Sequence, residues 1–144
     1  MAVRVQSITL WRAEVDNRPG TLARALGPLA GAGANLKIAM AYRFPGNESR
    51  CAIELYPVSG RKATAAARRA GLSESSIPTL LVEGDDRPGL GAAISHSLAE
   101  AGVNVAFLVA HVVGRRYAAV IGFDTRADAR KAAPLLRKAK PARR

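Results

Sequence analysis

Sulfur, aromatic rings and acid are all scarce in this chain. Cys51 is the one cysteine among 144 residues, so no internal disulfide can form and a disulfide-stapled secreted scaffold is excluded. A lone thiol fits a reducing compartment, and a cytoplasmic protein is expected. The apolar runs break off well short of the roughly 20 residues that a membrane-spanning helix needs. The first residues, Met1-Ala2-Val3-Arg4-Val5-Gln6-Ser7, lack the apolar block of a secretory signal. His96 and His111 have no cysteine or carboxylate at ligand spacing, so no metal site is expected and no cofactor motif stands out. No Ser-His-Asp order or paired-carboxylate pattern appears either, and Cys51 lies in an apolar stretch that suits a buried small hydrophobe. Catalytic residues are therefore expected to be none, and the chain is read as a non-enzyme.

What is present is apolar mass and positive charge. Nearly half of the chain (49%) is hydrophobic, enough to bury a core and to exclude a disordered polymer. Basic residues number 22 against 11 acidic ones, a net charge of +11, which raises the question of a nucleic-acid partner. The excess is local. Residues 126–144 hold eight basic groups against Asp128, and residues 61–69 hold Arg61, Lys62, Arg68 and Arg69 with no acid. Everything else is neutral. Both basic stretches are rich in alanine, arginine and lysine, which favours helix.

Self-similarity explains why there are two such stretches. Residues 16–42 align without a gap on residues 85–111, with 11 of 27 positions identical. The shared positions include Asp16/Asp85, Arg18/Arg87, Pro19/Pro88, Gly20/Gly89, Ala32/Ala101, Gly33/Gly102 and Asn35/Asn104. Each repeat reads as strand, helix, strand, strand, helix. The first strand runs from Ile8 to Val15, or from Pro78 to Gly84, into the D-x-R-P-G turn. Pro19 and Pro88 then fit the first helical turn, capped by Asp16 or Asn17 and by Asp85 or Asp86. Leu22, Leu26 and Leu29 follow at helical spacing in one repeat, and Leu90, Ile94 and Leu98 in the other. Gly33 and Gly102 stop these helices. Pro28 inside the first of them predicts a kink. Alternating segments come next, Leu36 to Phe44 and Val105 to Val113, the first with an apolar row (Leu36, Ile38, Met40, Tyr42, Phe44) that is expected to be buried. Third strands, Cys51 to Val58 and Tyr117 to Phe123, precede the basic helices.

Helices alternating with hairpin-paired strands predict an α+β fold, antiparallel sheets with helices on one face, in ferredoxin-like βαββαβ units. The count falls one strand short. Residues 1–74 form the first repeat and residues 75–144 the second, and a strand near 76–84 can be claimed by either. Unpaired sheet edges would be exposed, so the sheets are expected to be joined or facing.

The segments Glu14-Val15-Asp16-Asn17-Arg18-Pro19-Gly20-Thr21-Leu22 with Ala32-Gly33-Ala34-Asn35-Leu36, and Glu83-Gly84-Asp85-Asp86-Arg87-Pro88-Gly89-Leu90 with Ala101-Gly102-Val103-Asn104-Val105, resemble the ACT domain, a small regulatory amino-acid-binding fold. The resemblance covers roughly residues 5–139 and implies a stand-alone tandem protein. It also implies a free amino acid bound between the turn of one unit and the second strand of its neighbour. The residues it marks are Asp16, Asn17, Arg18, Pro19, Gly20, Thr21, Leu22, Asn35, Leu36 and Lys37 in one repeat. In the other they are Asp85, Asp86, Arg87, Pro88, Gly89, Leu90, Gly91, Asn104, Val105 and Ala106.

The chemistry of these residues suits that ligand. A helix N-terminus offers free N–H groups to a carboxylate, and Gly20 and Gly89 let a ligand approach the backbone. Asp16 and Asp85 can take an ammonium, and Asn35 and Asn104 offer both donor and acceptor. A plainer reading stands beside it: Asp16 and Asp85 as helix caps, Arg18 and Arg87 as solvated side chains, Asn35 and Asn104 as turn formers. The second turn, with Gly91 behind it, is expected to be the more open. A homodimer and a regulated partner enzyme or transcription factor are the expected company. Nucleic acid ranks lower, because ferredoxin-like sheets bind RNA through exposed aromatics and only seven aromatic residues are present. The basic helices would give only salt-sensitive phosphate contact. A ligand-free dimerisation module remains a further alternative.

Overall fold

The computed structural model describes residues 3–141. The chain forms β1 (Arg4–Ile8), β2 (Trp11–Asp16), α1 (Thr21–Gly31), β3 (Ile38–Phe44), β4 (Asn47–Tyr56) and α2 (Arg61–Arg69). It continues through β5 (Ser73–Glu74), β6 (Thr79–Asp85), α3 (Leu90–Glu100), β7 (Val105–Val113), β8 (Arg116–Phe123) and α4 (Arg126–Lys138). The described residues form two compact units: residues 9–76, and residues 77–141 together with residues 3–8. Among the described residues, no helix is long and apolar enough to cross a membrane.

Each unit has its own four-stranded antiparallel sheet, ordered β3-β4-β2-β5 in one and β1-β6-β8-β7 in the other. Both orders are those of a βαββαβ ferredoxin-like unit, so the expected fold class holds. The missing strands are found at places that the repeat does not mark. The expected strand Ile8–Val15 is in fact two: Ile8 pairs with Thr79 in one sheet and Trp11 with Leu55 in the other, and the chain changes units between them. Five residues from the start of the chain thus supply the fourth strand of the 77–141 sheet. The two-residue β5 closes the edge of the other sheet beside Trp11 and Arg12. Among the described residues the strand near 76–84, β6, pairs only with β1 and β8 of one sheet, so it is not shared.

Burial follows from these pairings. In the 9–76 unit, Trp11, Ala13, Ile53 and Leu55 point from the sheet onto Ala25 and Leu29 of α1 and onto Ala63, Ala66 and Ala67 of α2. In the 77–141 unit, Leu80, Val82, Ala119, Ile121 and Phe123 meet Leu90, Ile94 and Leu98 of α3 and Ala129, Ala132 and Leu136 of α4. The alanine faces of α2 and α4 go inward, which leaves Arg61, Lys62, Arg68 and Arg69, and Arg126, Arg130, Arg137 and Lys138, exposed. The local charge is therefore a solvated helix surface in both units.

One expected burial is corrected. Directly opposed residues of an antiparallel pair share a face, and Leu55 and Ile53 pair with Ala39 and Ala41. The alternating row Ile38, Met40, Tyr42, Phe44 consequently lies on the face away from α1 and α2, and Tyr42 is 43% exposed. On that face the Tyr42 hydroxyl donates to Glu54 Oε2 at 3.1 Å, and Arg12 Nε stands 3.6 Å from Glu54 Oε1. Burial, chiefly, pushes the Tyr42 phenol above its ordinary pKa.

Candidate functional site

The D-x-R-P-G segment forms the same turn in both units. Gly20 and Gly89 precede the helices in left-handed conformation (φ 90° and 86°), and no side chain caps either helix. A side chain at that φ is strained, so glycine is required here. This corrects the expected roles of six residues, Pro19 and Pro88 in the first turn and Asp16, Asn17, Asp85 and Asp86 as caps. The helices begin at Thr21 and Leu90, which puts Pro19 and Pro88 just outside them, and the acids beside them cap nothing. Instead Asp16 and Asp85 each face an arginine across the sheet: Arg50 Nη1 lies 2.7 Å from Asp16 Oδ1, and Arg116 Nη1 lies 3.1 Å from Asp85 Oδ1. The next residue ties the turn to the strand hairpin, with Asn17 N donating to Ser49 O and Asp86 N to Arg115 O, each at 2.8 Å. Asn17 Nδ2 also donates to Glu48 O, and Thr21 Oγ1 to Asp16 O. The first turn of α1 carries no acid, so its positive end stays uncompensated.

The helices stop at the glycines that the sequence marks. Gly33 N donates to Ala30 O and Ala34 N to Leu29 O, and Gly102 and Val103 repeat the pattern on Ala99 and Leu98. Their position separates the candidate site into two places. α1 has 11 residues, so Asn35, Leu36 and Lys37 stand roughly 16 Å along the axis from the D-x-R-P-G turn. Asn35 lines a different groove with Pro57, Ser59 and Gly60, and Lys37 N is bound to Tyr56 O. Asn104, Val105 and Ala106 likewise follow the far end of α3.

What the turn does meet is the helix side of its own sheet. Asn17, Arg18, Thr21 and Leu22 line one groove of about 430 Å³ with Ala41, Tyr42 and Arg43 of β3 and Cys51 and Ile53 of β4. Leu22 and Arg43 are exposed, and Ile53 is buried at the base. Sequence reasoning missed Ala41 and Arg43, because the apolar row of β3 drew attention to the other face. A second groove, about 580 Å³, opens on the other side of the turn between α1 and the end of α2. In the second repeat the surroundings differ. Leu90, where the first repeat has Thr21, is buried in the core, and Pro141 Cβ would lie 3.6 Å from a β-carbon at Gly89. The turn expected to be the more open is thus packed on that side by the chain itself.

Comparison with known proteins bears on the fold. No protein-family model and no curated protein sequence matches the chain. Solved structures do. A protein from Bacteroides thetaiotaomicron superposes with a TM-score of 0.76 at 16% identity, covering 92% of this chain and 88% of its own. The ligand-free regulatory subunit of aspartate kinase from Thermus thermophilus gives 0.64 at 16% identity, covering 96% and 97%. The aspartokinase alpha and beta subunits give 0.63 at 15% identity, again over 96% and 97%. At these identities the likeness is one of fold, the ACT-like ferredoxin fold. This chain is similar in it, end to end, to regulatory subunits of aspartate kinase.

Proposed function

We propose that this chain is a regulatory, non-catalytic module that senses a free amino acid at the D-x-R-P-G turn of its first repeat. One observation carries the reading: the turn, the open start of α1 and the helix side of β3 line a single groove in the 9–76 unit. Arg18 and Arg43 and the free N–H groups of α1 suit the ligand's carboxylate, while Leu22, Ala41 and Ile53 offer its side chain an apolar wall. Fold likeness to aspartate kinase regulatory subunits supports a regulatory role, with a homodimer acting on a partner enzyme or regulator. Such a ligand acts only by binding one state of the assembly better than another. Phosphate contact by the solvated charge of the basic helices would be sequence-independent and salt-sensitive, so nucleic acid ranks below this reading.

A thermal-shift series with the twenty amino acids at millimolar concentration tests it. Ligand at 100 times its Kd stabilises by about 2.7 kcal/mol, a readable rise in melting temperature. One responding amino acid, with the response lost in Arg43→Ala and Leu22→Lys, supports the groove. Twenty flat traces would sink it.

A further inference from the structure

The second groove holds a different kind of chemistry. Arg18, Arg24, Arg50 and Arg69 all line it, with Glu14 and Asp16 as its acids. Both acids are already committed: Glu14 is paired with Arg12, and Asp16 with Arg50. Among the described residues, Arg18, Arg24 and Arg69 have no carboxylate partner, so three guanidiniums border one concavity without compensation. Arg24 is exposed, with its head lying over the start of α1. Its Nη1 lies 3.5 Å from where a Gly20 β-carbon would stand, and its Nη2 lies 3.4 Å from Thr21 Oγ1. The carbonyls that end α2, which would repel an anion, are occupied by the N–H groups of Ala70, Gly71 and Leu72. Small residues, Ala25 and Ala70, leave room between the arginine heads.

From this arrangement we infer that the groove binds a phosphate-bearing small molecule, a ligand distinct from the amino acid proposed above. Like charges converging on a concavity cost free energy unless a counter-anion neutralises them. Forked guanidiniums match phosphate oxygens in pairs, whereas a monocarboxylate leaves part of the positive charge unbalanced. The second repeat supplies an internal contrast. Ala93 stands where the first has Arg24, and α3 carries no arginine or lysine at all. The site therefore belongs to the first repeat alone.

Isothermal titration of the full chain with pyrophosphate and with inorganic phosphate, at ionic strength held constant with sodium chloride, tests the assignment. Saturable 1:1 binding is expected. Arg24→Ala and Arg69→Ala, neither of which lines the amino-acid groove, should each weaken it about tenfold, the loss of one charge-assisted contact. Arg61→Ala, a neighbouring exposed arginine outside the groove, should leave it unchanged. Absence of heat at 10 mM, equal binding of succinate, or a response to a single-stranded oligonucleotide with none to pyrophosphate would overturn the proposal. Each readout is independent of whether any amino acid binds.

Discussion

Gly122 of β8 lies directly across from Phe107 of β7, and the phenyl ring fills the space where a β-carbon would be. The pairing register shifts between Val105 and Phe107, at the same point where the ring crosses its neighbour. A residue without a side chain is required because the ring, not the backbone, occupies the volume: Gly122 has no positive φ. Gly122→Ala is therefore expected to cost about 1–3 kcal/mol through overpacking. Urea unfolding would read it as a lower midpoint at constant slope. Combining it with Phe107→Ala should recover part of the loss, because the second change empties the space that the first one needs. Strict additivity of the two would refute the contact.

Tyr117 presents the opposite case, a buried polar group. Its ring packs over Gly84 and its residue is 6% exposed, yet among the described residues its hydroxyl has no hydrogen-bond partner. Tyr117→Phe is expected to stabilise the fold by about 1 kcal/mol at neutral pH, since an unsatisfied buried hydroxyl is removed with little change of shape. Burial raises the Tyr117 pKa above its ordinary 10.0, with Arg116 opposing in part. A raised folded-state pKa means that the neutral phenol is favoured by folding. Its contribution is whole below the unfolded pKa and is lost as pH climbs through the folded one. Above pH 10 the parent should therefore lose stability faster than Tyr117→Phe, and the difference between their melting curves isolates this tyrosine from Tyr42. Parallel curves would contradict the burial.

These residues also show what the sequence could disclose. The D-x-R-P-G turns, the glycine stops and the alanine-faced basic helices are local patterns, and the structure places them where the repeat puts them. The arginine partners of Asp16 and Asp85 were not legible, because Arg50 and Arg116 reach them only through the strand register. The separation of Asn35 from the turn was legible in principle, from helix length alone. The direction of the β3 row was not: alternation reveals two faces but does not say which one the helices cover. Nor could local pattern reveal that Arg4–Ile8 serves the far repeat. The stretch Ile8-Thr9-Leu10-Trp11 reads as continuous strand, and its break exists only in the pairing.

That break leads to a test of the division into units. β1 closes the edge of β6, with Val5 opposite Val82 and Ser7 opposite Leu80. A fragment of residues 77–144 should leave that edge unpaired and fold poorly or associate. Adding a synthetic peptide of residues 1–8 should restore a cooperative transition, followed by circular dichroism. Residues 9–76, whose sheet needs nothing from residues 1–8, should unfold cooperatively without the peptide. A 77–144 fragment that melts identically with and without the peptide would show that β1 is dispensable.

The remaining edge strand bears on association. β7 is the outer strand of its sheet, and Leu108, Val109, Val112 and Val113 are 47%, 44%, 51% and 71% exposed, so both of its faces are apolar. Soluble proteins usually blunt such an edge with lysine or proline, and here His111 is the one polar residue in nine. If the proposed homodimer forms along this strand, Val109→Lys with Val112→Lys should convert it to monomer in sedimentation equilibrium. Exposed substitutions of this kind normally change intrinsic stability by no more than about 0.5 kcal/mol. The urea midpoint should then become independent of protein concentration, whereas that of the parent rises with concentration by mass action. A double variant that keeps the parent's mass would exclude β7 from the interface and direct attention to another surface of the two units.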